Sequence, residues 1–66
     1  MTITVNGETK IVESGLTLAH LVAQMGLTTG RLASEVNGDV VRRADYAARV
    51  LLDGDRIEIV QMIGGG

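Results

Sequence analysis

The chain has 66 residues, a formal net charge of −2 and no cysteine. Its length predicts a single domain, and the lack of thiols excludes a disulfide framework or a thiolate metal site. The acidic balance argues against nucleic-acid binding, which requires a basic surface. Because the sequence shows no apolar run of membrane-spanning length and no N-terminal signal, we expect a cytoplasmic protein without a membrane partner.

Residues 1–12 are predicted to form a β-hairpin. Asn6-Gly7 lies between two β-prone runs, and this dipeptide supplies the positive φ angles that a type I′ turn requires. In the first strand Ile3 and Val5 alternate with threonines, which predicts one buried and one exposed face.

A short amphipathic helix is predicted over Leu18–Met25, because four apolar residues fall at i, i+3, i+4 and i+7. These residues are Leu18, Leu21, Val22 and Met25. Thr17 is suited to the N-cap position, where its hydroxyl can accept a free backbone N–H. Gly26 is expected to end the helix in a Schellman turn, with Leu27 folded back on the helix.

The second half of the chain alternates strands with turns. Arg31–Val36 is predicted as a strand, Asn37-Gly38 as a second tight turn, and Val40-Val41 as a short extended segment. Residues Arg42–Arg49 are predicted to form a polar bridging segment, with one helical turn around Asp45–Ala48. The last strand is expected over Arg56–Ile63.

This order of elements predicts an α+β fold, a β-grasp in which a mixed sheet packs on one main helix. The right-handed crossover through the helix is expected to place the next main strand parallel to the first. The predicted core lies between sheet and helix and is aliphatic. Its members are Ile3, Val5, Ile11, Leu18, Leu21, Val22, Leu51, Ile57 and Ile59.

Three glycines, Gly64, Gly65 and Gly66, follow the last strand. Glycine has no side chain to bury and loses much conformational entropy on ordering, so packing does not explain the run. We interpret residues 1–63 as the β-grasp domain and residues 64–66 as a flexible tail. Its unhindered terminal carboxylate can enter a narrow channel of another protein. The alternative is an ordinary frayed terminus.

Several segments together are typical of one protein family. They are Ile3-Thr4-Val5-Asn6-Gly7, Val36-Asn37-Gly38, Val40-Val41-Arg42-Arg43 ahead of Tyr46, Leu52-Asp53-Gly54-Asp55, Ile57-Glu58-Ile59-Val60 and Ile63-Gly64-Gly65-Gly66. In these segments the chain resembles the bacterial sulfur carriers of thiamine biosynthesis, which are ubiquitin-like β-grasp proteins. It departs from them at Arg42, where many members have proline, and at Tyr46, where tryptophan is frequent.

The resemblance implies a co-substrate and not an enzyme, without catalytic or metal-binding residues or a bound cofactor of its own. A partner adenylating enzyme uses ATP and Mg²⁺ to activate the carboxylate of Gly66. A sulfur donor enzyme then converts it to a thiocarboxylate, which gives its sulfur to thiazole synthase. Gly64 and Gly65 are expected to let the tail reach the partner's active site, and the free protein is expected to be a monomer.

The apolar residues between the last strand and the tail have two interpretations. Val60, Met62 and Ile63 either complete the core or form a docking surface for a partner, for which methionine is well suited. His20 has no second ligand nearby in the sequence, so a solvated side chain is favoured over a metal site. Asp53-Gly54-Asp55 lacks the length of a calcium loop and is interpreted as a turn.

Three other functions stay open from the sequence. A carrier for molybdopterin synthesis has the same fold and tail, although those carriers are usually longer. A ubiquitin-like protein modifier is disfavoured because Lys10, the only lysine, offers a single attachment point for linked copies. A non-catalytic β-grasp interaction module with an inert tail belongs to a different class, and incubation with ATP and an adenylating enzyme distinguishes it from the carriers.

Overall fold

The computed structural model describes residues 1–27 and 30–62. Within them a mixed five-stranded sheet, in the order β2-β1-β5-β3-β4, packs one helix on one face. The elements are β1 (Thr2–Val5), β2 (Glu8–Ile11), α1 (Leu18–Gln24), β3 (Arg31–Val36), β4 (Asp39–Val41), a 3₁₀ turn (Arg43–Asp45) and β5 (Arg56–Met62). The predicted β-grasp arrangement is therefore confirmed. In this part of the chain no helix is long and apolar enough to cross a membrane.

The hairpin forms as predicted, and its turn fixes the pairing of β1 with β2. Asn6 and Gly7 have φ angles of 51° and 82°, as a type I′ turn requires. A two-residue turn pairs the residues on either side of it, so Val5 lies opposite Glu8 and Thr2 lies opposite Ile11. Directly opposed residues of an antiparallel pair point to the same face of the sheet.

The placement of Ile11 in the core is wrong. Ile11 shares the solvent face with Thr2, and 86% of its surface is exposed. The core-facing positions of β2 are taken by Glu8 and Lys10, opposite Val5 and Ile3. Successive strand side chains alternate between the two faces of the sheet. A two-residue turn that pairs Val5 with Glu8 therefore places Ile11 on the solvent face.

The helix has the predicted cap at its N-terminus, with an addition. The Thr17 hydroxyl accepts a hydrogen bond from the backbone N–H of His20 at 3.1 Å. In return, Nδ1 of His20 accepts from the backbone N–H of Thr17 at 3.4 Å. His20 therefore completes a capping box, a role usually taken by glutamate or glutamine at that position.

The C-terminus of the helix is the predicted Schellman turn. The N–H of Leu27 donates to the carbonyl of Val22, and the N–H of Gly26 donates to the carbonyl of Ala23, both at 3.0 Å. Gly26 has a φ of 75°, which a residue with a side chain adopts only with strain. The last helical residue is Gln24, one residue earlier than predicted, because Met25 is the C-cap.

The bridging segment supplies the acceptors that the first turn of the helix needs. The N–H of Leu18 donates to the carbonyl of Arg49 at 2.9 Å, and the N–H of Ala19 donates to the carbonyl of Tyr46 at 3.1 Å. A helix start otherwise leaves these donors unpaired. The helical turn of this segment begins at Arg43, two residues before the predicted start at Asp45.

The prediction that the strand after the helix runs parallel to β1 is wrong. β3 is antiparallel to β5, and β5 is parallel to β1, so β3 runs opposite to β1. The crossover rule relates the two strands that the crossover joins, and these are β2 and β3. β5 takes the central place beside β1.

The observed core contains eight of the nine predicted residues. Ile11 is absent from it, and four residues are additional: Leu16, Val36, Val41 and Tyr46. The hydroxyl of Tyr46 donates to the Oγ atom of Ser34 at 2.7 Å, and both side chains are buried. Pairing of two buried hydroxyls avoids the penalty of an unsatisfied polar group inside the core.

Candidate functional site

The end of β5 presents apolar side chains to solvent. Ile57 and Ile59 point into the core and are 0% and 5% exposed, whereas Val60 and Met62 are 59% and 49% exposed. The interpretation of Val60 and Met62 as core is therefore wrong, and they are available for contact with a partner. Ile63 lies outside the described residues, so the structure does not place it.

The neighbouring strand β3 extends this apolar area. Val60 pairs with Ala33 and Met62 pairs with Arg31, so these side chains share the outer face of the sheet. Ala33 is exposed. We call the outer-facing residues Ala33, Val60 and Met62 the β5-end surface.

Two carboxylates border the β5-end surface. Glu58 precedes Val60 by two residues on the same face of β5, and it pairs directly with Glu35 of β3. Like charges directly opposed on a sheet repel each other. Next to Glu35, the exposed Val40 of β4 adds a further apolar side chain to this face. The surface is thus an apolar area with two carboxylates at one end and the exposed Arg31, opposite Met62, at the other.

Hydrogen bonds from a turn asparagine reach β5, a role that the sequence pattern does not indicate. Asn6 Oδ1 accepts from the N–H of Ile59 at 2.8 Å, and Asn6 Nδ2 donates to the carbonyl of Ile59 at 3.1 Å. These residues are 53 positions apart in the chain. No local pattern signals the contact, because asparagine before glycine is already explained by the turn.

The second turn asparagine holds the opposite end of β5. Asn37 Oδ1 accepts from the N–H of Arg56, and Asn37 Nδ2 donates to Asp55 Oδ1, both at 2.9 Å. Asp55 Oδ2 accepts from the N–H of Leu52 at 2.8 Å. The Asp53-Gly54-Asp55 segment is therefore a turn, as predicted, and the structure adds that the Asp55 side chain closes it.

The remaining predicted site residues are the three glycines after the last strand. Gly64, Gly65 and Gly66 lie outside the described residues, so their assigned roles stay predictions. Across residues 1–27 and 30–62, no group of three or more His, Cys, Asp or Glu side chains is arranged to hold a metal ion.

Comparisons with known proteins identify the family. The model of the ThiS family matches residues 2–66. The chain belongs to the ThiS family. A crystal structure of a thiamine biosynthesis protein (ThiS) from Geobacter metallireducens covers 100% of both chains, with 30% identity and a TM-score of 0.83. A solution structure of a thiamine biosynthesis protein from the same organism gives a TM-score of 0.80 over 100% of this chain and 88% of the other, also with 30% identity.

Two curated relatives are longer proteins. The chain is 44% identical to a segment of the thiazole synthase of Magnetococcus marinus and 35% identical to a segment of that of Paramagnetospirillum magneticum. Each match covers 100% of this chain but only 20% of the relative. The resemblance to thiamine-pathway sulfur carriers is confirmed at the level of the family.

Proposed function

We propose that this ThiS-family chain is a sulfur carrier for thiazole formation in thiamine biosynthesis, and that Gly66 carries the sulfur. The observation that carries the proposal is the extent of the family match. It runs from residue 2 to residue 66 and so includes the whole glycine run with the domain. One family model therefore matches the domain and the glycine run together.

The proposed reaction begins with activation of the Gly66 carboxylate. A carboxylate is ionised at neutral pH and is a poor electrophile. A partner adenylating enzyme with ATP and Mg²⁺ forms the acyl-adenylate and releases pyrophosphate. Sulfur delivered by a donor enzyme at the oxidation level of hydrosulfide then attacks the carbonyl carbon. A C–S bond forms, the C–O bond to AMP breaks, and the thiocarboxylate remains on Gly66.

The β5-end surface is the proposed docking site for the adenylating enzyme, together with Ile63. An exposed apolar area beside a reactive terminus suits recognition that brings the terminus to an active site. The opposed carboxylates Glu35 and Glu58 favour a partner surface with an apolar centre and a basic group at its edge, because complementary charge fixes orientation and speeds encounter.

Thiazole synthase is the proposed sulfur acceptor. In the two longer relatives, a segment similar to this chain is part of a protein named thiazole synthase. Linking a carrier to its acceptor raises the effective concentration of one at the other, which is an advantage if they exchange sulfur. We propose a cytoplasmic location for the same reaction, since it consumes ATP and needs no disulfide.

The test is sulfur loading of the 66-residue chain, followed by mass spectrometry. With the adenylating enzyme, ATP, Mg²⁺ and a sulfur donor, the protein should gain the mass of one oxygen-to-sulfur exchange, located on Gly66. Deletion of Gly66 moves the carboxyl carbon by one residue, and such misplacement should slow loading by about 10²-fold or more. Thiazole synthase and molybdopterin synthase are then offered the loaded carrier separately.

The matched control is a variant with one added glycine, which displaces the carboxyl carbon in the opposite direction. Both length variants should unfold at the same denaturant concentration as the parent chain, since glycines add little to a core. Equal loading rates for all three chains would contradict the role of Gly66. Sulfur transfer to molybdopterin synthase alone would contradict the thiamine assignment, and no loading at all would favour the interaction module.

A further inference from the structure

The side-chain amide of Asn6 occupies the place of a strand residue beside β5. The backbone ladder between β1 and β5 has two paired positions, Thr4 with Arg56 and Val5 with Ile57. The backbone N–H of Asn6 then donates to the carbonyl of Ile57 at 2.9 Å. Beyond this point β1 has ended, because Asn6 begins the hairpin turn.

The Asn6 amide extends that ladder by one step. Its oxygen accepts from the N–H of Ile59 and its nitrogen donates to the carbonyl of the same residue. A primary amide has both an acceptor and donors, so it can replace a peptide group in this pairing. Ile59 is thereby held from the β1 side as well as by its pairing with Ser34 of β3.

The contact between Asn6 and Ile59 lies directly before the exposed apolar end of β5. Ile59 directly precedes Val60, so the Asn6 amide holds the last inward-facing isoleucine before the β5-end surface. In residues 60–62 the described strand pairing is with β3. The contact therefore holds β5 from the β1 side directly before the β5-end surface begins.

We propose that Asn6 is a positioning residue for sulfur loading. By holding Ile59, its amide fixes the direction in which the β5-end surface is presented to the adenylating enzyme. This inference rests on the proposed function. Preorganisation of a binding segment lowers the entropy lost on association, so its removal should weaken docking more than it slows the chemical step.

The chain offers a matched control in its second Asn-Gly turn. Asn37 has a φ of 53°, against 51° for Asn6, and each asparagine precedes a glycine. Each makes two side-chain hydrogen bonds, but Asn37 holds the beginning of β5 at Arg56. Asn6→Gly and Asn37→Gly both keep a residue suited to positive φ and remove the side chain that carries the amide.

Amide hydrogen exchange tests the contact without any partner. In Asn6→Gly the N–H of Ile59 should exchange at least about tenfold faster relative to the core amide of Leu21, while that of Arg56 keeps its relative rate. In Asn37→Gly the Arg56 amide should be the one affected. Unchanged relative exchange of Ile59 in Asn6→Gly would show that the amide does not hold β5.

Loading kinetics test the positioning role. Asn6→Gly should raise the KM of the adenylating enzyme for the carrier by about fivefold, with kcat within about twofold of the parent, because the lost interaction acts in binding. Asn37→Gly should leave both constants within about twofold. A merely structural contribution would leave KM unchanged in a folded Asn6→Gly chain, or would raise it equally in both variants; either result overturns the proposal.

Asn6→Asp provides a second variant of nearly unchanged size. Its carboxylate can still accept from the N–H of Ile59 but has no hydrogen to donate to the Ile59 carbonyl. Its KM should also exceed that of the parent, and a parental value would overturn the proposal. If the parent chain itself is not loaded, the proposed function fails together with the role of Asn6 in it, whereas the exchange result separately shows whether the contact exists.

Discussion

The two faces of β5 carry similar aliphatic side chains with opposite environments. Ile57 and Ile59 face the helix and are buried, whereas Val60 and Met62 face solvent. The alternation of strand side chains causes this difference, since successive residues point to opposite faces. After Ile59 the outer-facing positions become apolar while the inner position is Gln61. The same strand therefore stabilises the domain with its first part and exposes apolar side chains to solvent with its last.

This difference shows that apolar composition alone does not assign a role to a residue. Met62 and Ile57 are both hydrophobic, but only the parity of their positions on β5 separates a core residue from an exposed one. Substitutions at the buried inner face should therefore lower the free energy of unfolding. Substitutions at the exposed outer face should instead weaken binding to a partner. Three experiments compare substitutions at buried positions with substitutions at exposed ones.

The largest effect is expected from truncation at the inner face. Ile57→Ala removes three carbon atoms from a fully buried side chain and should lower the free energy of unfolding by about 2–5 kcal/mol. Val60→Ala on the outer face should change it by no more than about 0.5 kcal/mol. Urea denaturation of both variants measures the difference. Equal losses would show that the end of β5 is as buried as its centre.

A smaller effect is expected for the polar pair inside the core. Tyr46→Phe removes the hydroxyl that donates to Ser34 and leaves a buried hydroxyl without its partner. The free energy of unfolding should fall by about 1–3 kcal/mol. Adding Ser34→Ala to Tyr46→Phe should recover part of that loss, because no polar group is then left unpaired. Denaturation of the parent, the two single variants and the double variant gives the coupling energy between the two hydroxyls. Strictly additive losses of stability would argue against the hydrogen bond between them.

The smallest effect is expected at the outer face and concerns binding. Met62→Glu places a charge in the β5-end surface and should weaken binding to the adenylating enzyme by about tenfold, equivalent to about 1.4 kcal/mol. Ile11→Glu is the matched control, because Ile11 is also exposed but lies on the edge strand β2. Calorimetric titration should show normal affinity for that control. Normal affinity of folded Met62→Glu would remove the β5-end surface from the interface.

The local elements of the fold could be predicted from the sequence because their causes are local. The two Asn-Gly turns require positive φ at neighbouring residues, and both have it. The helix is defined by a periodic stripe, an N-cap at Thr17 and a C-terminal glycine at Gly26. Each of these signals depends on residues within a few positions of one another, so no knowledge of the rest of the chain was needed.

The candidate site was predicted only in part. Val60 and Met62 were identified from their position between the strand and the tail, but the choice between core and surface needed the register of β5. Ala33, Glu35 and Glu58 join the site through cross-strand pairing. Those pairs form between segments more than twenty positions apart, and a single sequence contains no signal for them.

The sequence by itself determined the hairpin, the helix with both of its caps and the alternation of β5, since backbone geometry and side-chain period act over short distances. Tertiary structure alone decided which strand lies beside β1 and which carbonyls accept from the start of the helix. It also decided that the amide of Asn6 holds Ile59, 53 positions away. These features depend on contacts that exist only after the chain has closed on itself, when distant donors and acceptors are brought within hydrogen-bonding distance.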